Sequence, residues 1–164
     1  MKHCVLFFFS LACCTEAAAQ SIQERVARDE LAIVEPDDPD MVAAIRKGRE
    51  TLPEFLALAS APKPAMTNFS VKVAVRSEQQ YEYIWIAPFK EENGTYFGVI
   101  KNIPRWATHL KKGDVLTFAE SEIVDWLYIE DRKMKGNFTV CATLRKEPKS
   151  EAELFKKQYG LNCD

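Results

Sequence analysis

Between Asn68 and Lys101 the chain falls into a period of two, and that stretch narrows the fold more than any other. Phe69, Val71, Val73 and Val75 alternate with Ser70, Lys72, Ala74 and Arg76, the pattern of a strand buried on one face. In the next strand Tyr81, Tyr83, Trp85 and Phe89 share one side while Ile84 and Ile86 make the other side apolar too, which predicts a central strand. Asn93-Gly94 then marks a two-residue hairpin, because a type I′ turn needs positive φ at both central positions. The return strand runs from Tyr96 to Lys101. Asn102 to Lys112 reads as a connection, closed by Gly113-Asp114. Further strands are predicted at Val115 to Phe118, Ile123 to Tyr128 and Phe138 to Leu144, with a polar turn over Asp131 to Gly136.

Helices are expected at the two ends of this run of strands. Asp38 can cap a helix whose first residue is Pro39, where the missing N–H costs nothing, and Met41, Val42, Ala44 and Ile45 give it an apolar face. Thr51-Leu52-Pro53-Glu54 reads as a capping box, predicting a kink or restart there and a second stretch through Phe55, Leu56 and Leu58, stopped by Ala61-Pro62-Lys63-Pro64. Ser150 to Phe155 reads as a capped C-terminal helix. A helical region followed by consecutive strands is an α+β arrangement: an N-terminal helix or kinked helix pair on a curved antiparallel sheet, with a short C-terminal helix.

The N-terminus carries an export pattern. Lys2 and His3 precede an almost wholly apolar run from Cys4 to Cys14, too short to span a bilayer, and Ala17-Ala18-Ala19 supplies a small-residue cleavage site. Residues 1–19 are therefore expected to be a signal peptide, 20–37 a mobile leader ending in Glu35-Pro36-Asp37-Asp38-Pro39, and 38–164 one α+β domain without a transmembrane segment. A lipoprotein site at Cys13 is the alternative, weakened by Ser10 standing where a large aliphatic residue is usual. The expected location is periplasmic or secreted. Cleavage would remove Cys4, Cys13 and Cys14, and the remaining pair, Cys141 and Cys163, is expected to form a disulfide.

The residues also resemble a known family. Asp40-Met41, Thr51-Leu52-Pro53 with Phe55, Trp85, Phe97-Gly98-Val99, Asn102 with Pro104, Leu110 with Gly113-Asp114, Ile123 with Asp125-Trp126, and Gly136-Asn137-Phe138-Thr139 resemble the domain of unknown function 2314, the YegJ-like exported proteins. The match covers about Asp40 to Leu144, and the closing Tyr159-Gly160-Leu161-Asn162-Cys163-Asp164 is similar to the tail of exported members. This resemblance implies fold and export; it brings no activity, ligand or catalytic residue.

Chemistry is sparsely signalled. The net charge is −2 and stays there without residues 1–19, so no basic field exists to attract nucleic acid. His109 is the one histidine beyond the leader, too few for an imidazole metal site, and no phosphate loop or nucleophile elbow is present, so no metal or cofactor is expected. Glu120, Glu122 and Asp125 offer carboxylates for acid–base work; in an extended strand the first two would share one face and Asp125 the other. Asn93-Gly94-Thr95 and Asn137-Phe138-Thr139 have glycan-acceptor spacing, but the first belongs to a turn and the second to the expected strand. Asp125-Trp126 must point to opposite faces. Either Trp126 enters the core while Asp125 fixes a loop by hydrogen bonds, or Trp126 joins Trp85, Trp106 and nearby tyrosines in an aromatic groove. The sequence thus favours a monomeric binding or interaction module for an envelope protein, peptide or glycan. A small hydrolase working near Asp125 and a structural envelope protein are the alternatives.

Overall fold

In the computed structural model the described residues are 37–78 and 80–163. The expected signal peptide, the leader up to residue 36 and the candidate lipid-anchor Cys13 lie outside them. Asp38 caps the first helix, α1 (Pro39–Ser60), its carboxylate accepting from the amides of Asp40 at 2.9 Å and Met41 at 3.4 Å. The buried positions Met41, Ala44, Gly48, Leu52 and Phe55 recur at helical spacing and form one stripe. The expected restart at Thr51 does not occur: α1 runs through Pro53 as a single element. Thr51 is not a cap. Its hydroxyl donates back to the carbonyl of Lys47 at 2.7 Å and accepts from the Trp126 indole, so it serves the helix interior and its packing.

Six strands follow: β1 (Met66–Arg76), β2 (Tyr81–Glu92), β3 (Thr95–Ile100), β4 (Val115–Phe118), β5 (Ile123–Glu130) and β6 (Lys133–Gly136). They form one antiparallel sheet in the order β4-β3-β2-β1-β5-β6. Asn93 and Gly94 both have positive φ, as the β2–β3 turn demands. The polar stretch 131–136 is shorter as a turn than its composition suggests. Asp131 and Arg132 alone make it, both at positive φ, and Lys133–Gly136 returns as β6 on Leu127–Glu130.

The largest departure from the sequence reading is residues 138–144, expected as a strand and found as a helix, α2 (Phe138–Leu144). Gly136 and Asn137, both at positive φ, turn the chain off β6, and the amides of Phe138 and Thr139 are then met by the Asp125 carboxylate at 3.3 and 2.8 Å. This tertiary cap outweighs the β preference of Thr139, Val140 and Thr143. Helical spacing divides the segment between two neighbours: Phe138 and Ala142 pack with Met41 and Ala44 of α1, while Val140, Cys141 and Leu144 pack with the last helix, α3 (Lys149–Tyr159). The start of α3 also differs from expectation, with Pro148 in the cap position and no side-chain cap. A disulfide joins Cys141 of α2 to Cys163 beyond α3, 22 residues on.

The main core lies between α1 and one face of the sheet. Val71, Val73, Ile84, Ile86, Ile100 and Trp126 line that face, and Leu52 and Phe55 of α1 press on it. Phe55 stacks on Trp126 at 4.9 Å between centroids, and the Trp126 indole N–H donates to the Gly48 carbonyl at 3.1 Å. Gly48 allows this approach: a Cβ there would sit 2.6 Å from the Val124 carbonyl oxygen. The result is an α+β fold in which α1 shields one sheet face and α2, packed on α1 and tied to β5 through Asp125, carries α3 on its other side.

Candidate functional site

Register shows which side chains share the face turned away from α1. Lys72 lies opposite both Trp85 and Asp125, Ala74 opposite Tyr83, and Ser70 opposite Leu127. At the middle of this face Lys72 is buried, its ammonium 4.6 Å from the Trp85 ring centroid and donating to the Thr139 hydroxyl at 2.6 Å. Thr139 in turn donates to Asp125 at 2.7 Å, and the same carboxylate accepts from the amides of Trp126, Phe138 and Thr139. Asp125 is 0% exposed. Burial pushes its carboxyl above the usual range, while Lys72, the Thr139 hydroxyl and the Thr139 and Trp126 amides pull it back down. The chain Lys72, Thr139, Asp125 thus anchors α2 to the sheet.

Glu82 plays a comparable part and was not singled out from sequence. It shares the parity of Ile84 and Ile86 and is buried with them, and its carboxylate accepts from the amides of Arg105 at 2.6 Å, Trp106 at 3.0 Å and Ala107 at 2.8 Å. A charged residue inside an apolar row was the available clue, since such a group must find donors. These three bonds, with the Asn102 side chain accepting from the Trp85 amide at 2.7 Å, hold the 101–114 connection beside β2.

A groove of about 1220 Å³ runs over this face. Lys72, Tyr83, Trp85, Trp106 and Thr139 line it, and the rim carries two exposed apolar side chains, Tyr81 at 52% and Ile103 at 65% exposure. Small-molecule pockets commonly measure roughly 300–1,000 Å³, so this one has room for an extended ligand. Trp85 and Trp106 are half-buried and line the same groove; Trp126 stands apart in the core on the α1 face. The candidate carboxylates are not gathered into one site. Glu120 and Glu122 form a 3-10 turn, where Glu120 accepts from the Tyr96 hydroxyl at 3.1 Å and Glu122 from the Ala119 amide at 2.7 Å. His109 is exposed in the connection. Among the described residues no group of three or more His, Cys, Asp or Glu is placed to hold a metal ion, and no helix is long and apolar enough to cross a membrane.

The description "Uncharacterized protein conserved in bacteria (DUF2314)" matches residues 38–163, the whole of α1 through the disulfide. The chain belongs to the DUF2314 family. A relative, "Uncharacterized protein YegJ" of Escherichia coli (strain K12), is 28% identical over 117 residues, which cover 71% of this chain and 75% of that protein. No solved structure matches. The family match thus spans every element that builds the groove.

Proposed function

We propose that this protein is an exported binding module of the periplasm or cell envelope, whose partner lies in the groove between Trp85 and Trp106. The observation that carries this reading is the division of labour on the open face. On that face Asp125 and Lys72 are engaged in hydrogen bonds that fix α2, and Glu82, on the parity of Ile84 and Ile86, is engaged by the amides of the 101–114 connection, while the half-buried aromatic side chains line the space. Buried carboxylates tied up by backbone amides are poor general acids and bases, whereas aromatic surface beside a rigid sheet supplies contact area at little entropic cost. The export pattern at residues 1–19 and the disulfide support an oxidising envelope compartment.

Capture of the partner from a cross-linked envelope fraction tests this. Trp106→Ala should abolish capture while leaving the thermal melt unchanged, because its ring is not part of the main core. Equal capture by wild type and Trp106→Ala would remove the groove from the function.

A further inference from the structure

We propose that the groove's ligand is an acidic peptide segment, held in extended form by pairing with strand edges that the sheet leaves open between β1 and β2; this deepens, and rests on, the binding-module reading. The sheet is not continuous along its length. β1 and β2 pair from Arg76↔Tyr81 to Val71↔Ile86 and no further. Beyond that point β1 continues on β5 alone, through Ser70↔Leu127 to Met66↔Glu130, and β2 continues on β3 alone, through Phe89↔Gly98 to Glu92↔Thr95. Both partings begin at irregularities: the register of β1 on β5 shifts between Thr67 and Ser70, where Asn68 has φ 57°, and that of β2 on β3 shifts between Ile86 and Phe89.

The two halves therefore splay around Phe55, whose ring lies 5.8 Å from Phe69 on one side and 6.0 Å from Phe89 on the other. The facing edges, residues 66–70 of β1 and 87–91 of β2, have no ladder to one another, and the groove extends into the space between them. Open strand edges are sites for strand addition, because the main chain of a peptide supplies the missing ladder bonds. A saccharide has no such ladder to offer.

Two further observations give the peptide its chemistry. Lys101, Arg105 and Lys112 line the groove, are exposed, and make no ion pair among the described residues, in a chain whose net charge is −2. Beside these three cations a carboxylate gains attraction and a cation is repelled; Glu91, which also lines the groove at the far end of β2, is engaged by the Gly94 amide. Farther in, Asn137 lines the groove at 4% exposure, its Nδ2 placed against the Met134 sulfur at 3.1 Å and its Oδ1 without a hydrogen-bond partner. A buried acceptor left unmet suits an N–H donor from a ligand.

The test uses the disulfide-bonded protein, tryptophan fluorescence and amide exchange by NMR. The probes are a pool of octapeptides alternating Asp or Glu with Val, Ile, Phe or Tyr, the matching Lys/Arg pool, and an oligogalacturonate as a carboxylated saccharide. The acidic pool should change the fluorescence and slow exchange of amides in 66–70, of Ala87 and of 89–91, Pro88 having no amide hydrogen, and the basic pool should not. N-methylation of alternate peptide amides should weaken binding about tenfold or more, since each lost ladder bond leaves a group unpaired. The combined variant Lys101→Glu, Arg105→Glu, Lys112→Glu should weaken the acidic pool by a similar factor and admit the basic one. Binding of oligogalacturonate but not peptide would overturn the peptide assignment and keep the binding module. Peptide binding indifferent to N-methylation would overturn strand pairing. No response to any probe at millimolar concentration would overturn both.

Discussion

Replacing Glu82 by Gln tests how the 101–114 connection is held. Glu82 is 5% exposed, and its two oxygens accept three amides: Arg105 on Oε1, Trp106 and Ala107 on Oε2. A glutamine of the same shape can keep its carbonyl toward Trp106 and Ala107, but its amino group then faces the Arg105 N–H, donor against donor. One bond to a charged acceptor is lost, worth about 1.5–3 kcal/mol, and two others become neutral and weaker. Relief of the buried charge offsets part of this. The expected destabilisation is about 2–4 kcal/mol, and because 1.4 kcal/mol is tenfold, exchange of these amides should accelerate about 30- to 1,000-fold if the connection opens locally. Urea unfolding and amide exchange of Glu82→Gln would measure both. Exchange of Arg105, Trp106 and Ala107 within about threefold of wild type, with the unfolding midpoint unmoved, would mean that Glu82 does not hold the connection.

Other perturbations follow from the same structure. Gly136→Ala places a Cβ 2.2 Å from the Trp126 carbonyl oxygen and 2.5 Å from its ring at φ 75°, so it should cost about 3 kcal/mol or more, and a urea midpoint near wild type would contradict the packing. Cys163→Ala opens a loop of 22 residues and should lower stability by about 3 kcal/mol under oxidising conditions, with no difference from wild type once both are reduced. Burial, with the Glu120 partner, pushes the Tyr96 hydroxyl from its ordinary 10.0 up to about 12. The folded state thus holds this proton more tightly than the unfolded chain. Its contribution is complete below pH 10 and is lost as pH rises toward 12, and Tyr96→Phe should flatten that part of the alkaline stability curve. Burial raises Tyr83 and Tyr128 as well, so some alkaline loss should remain in the variant.

Much of the fold is legible where local chemistry and tertiary packing agree. Asp38-Pro39 starts α1, Asn93-Gly94 turns the hairpin, and the β1 alternation matches its buried Val71 and Val73. Local pattern and structure part where a distant residue decides. Nothing near Thr139 announces that Asp125 will cap it, so a run of alternating apolar and β-branched residues reads as a strand and folds as α2. Gly136-Asn137, a breaker pair at the start of that run, was the local clue. Lys72 reads as solvent-facing from the polar parity of β1, yet Trp85 and Thr139 cover it. Thr51-Leu52-Pro53-Glu54 has the letters of a capping box, but the stripe through Gly48, Leu52 and Phe55 keeps the helix whole against the sheet.

The groove could be legible only as two candidate side chains, Trp85 and Trp106, because the connection that brings Trp106 to the sheet depends on Glu82, 24 residues earlier. The rim cations are likewise scattered along the 101–112 connection, and the net charge conceals them.

Site-specific photo-crosslinking in the cell that makes the protein asks whether an acidic segment of a partner occupies the groove. Ile103, on the groove rim, and Leu154, exposed on α3 and outside the groove lining, would each be replaced by p-benzoylphenylalanine. Position 103 should give a discrete adduct mapping to an acid-rich extended segment of one partner, and position 154 none. Equal adducts from both positions, or none from 103, would contradict occupancy of the groove.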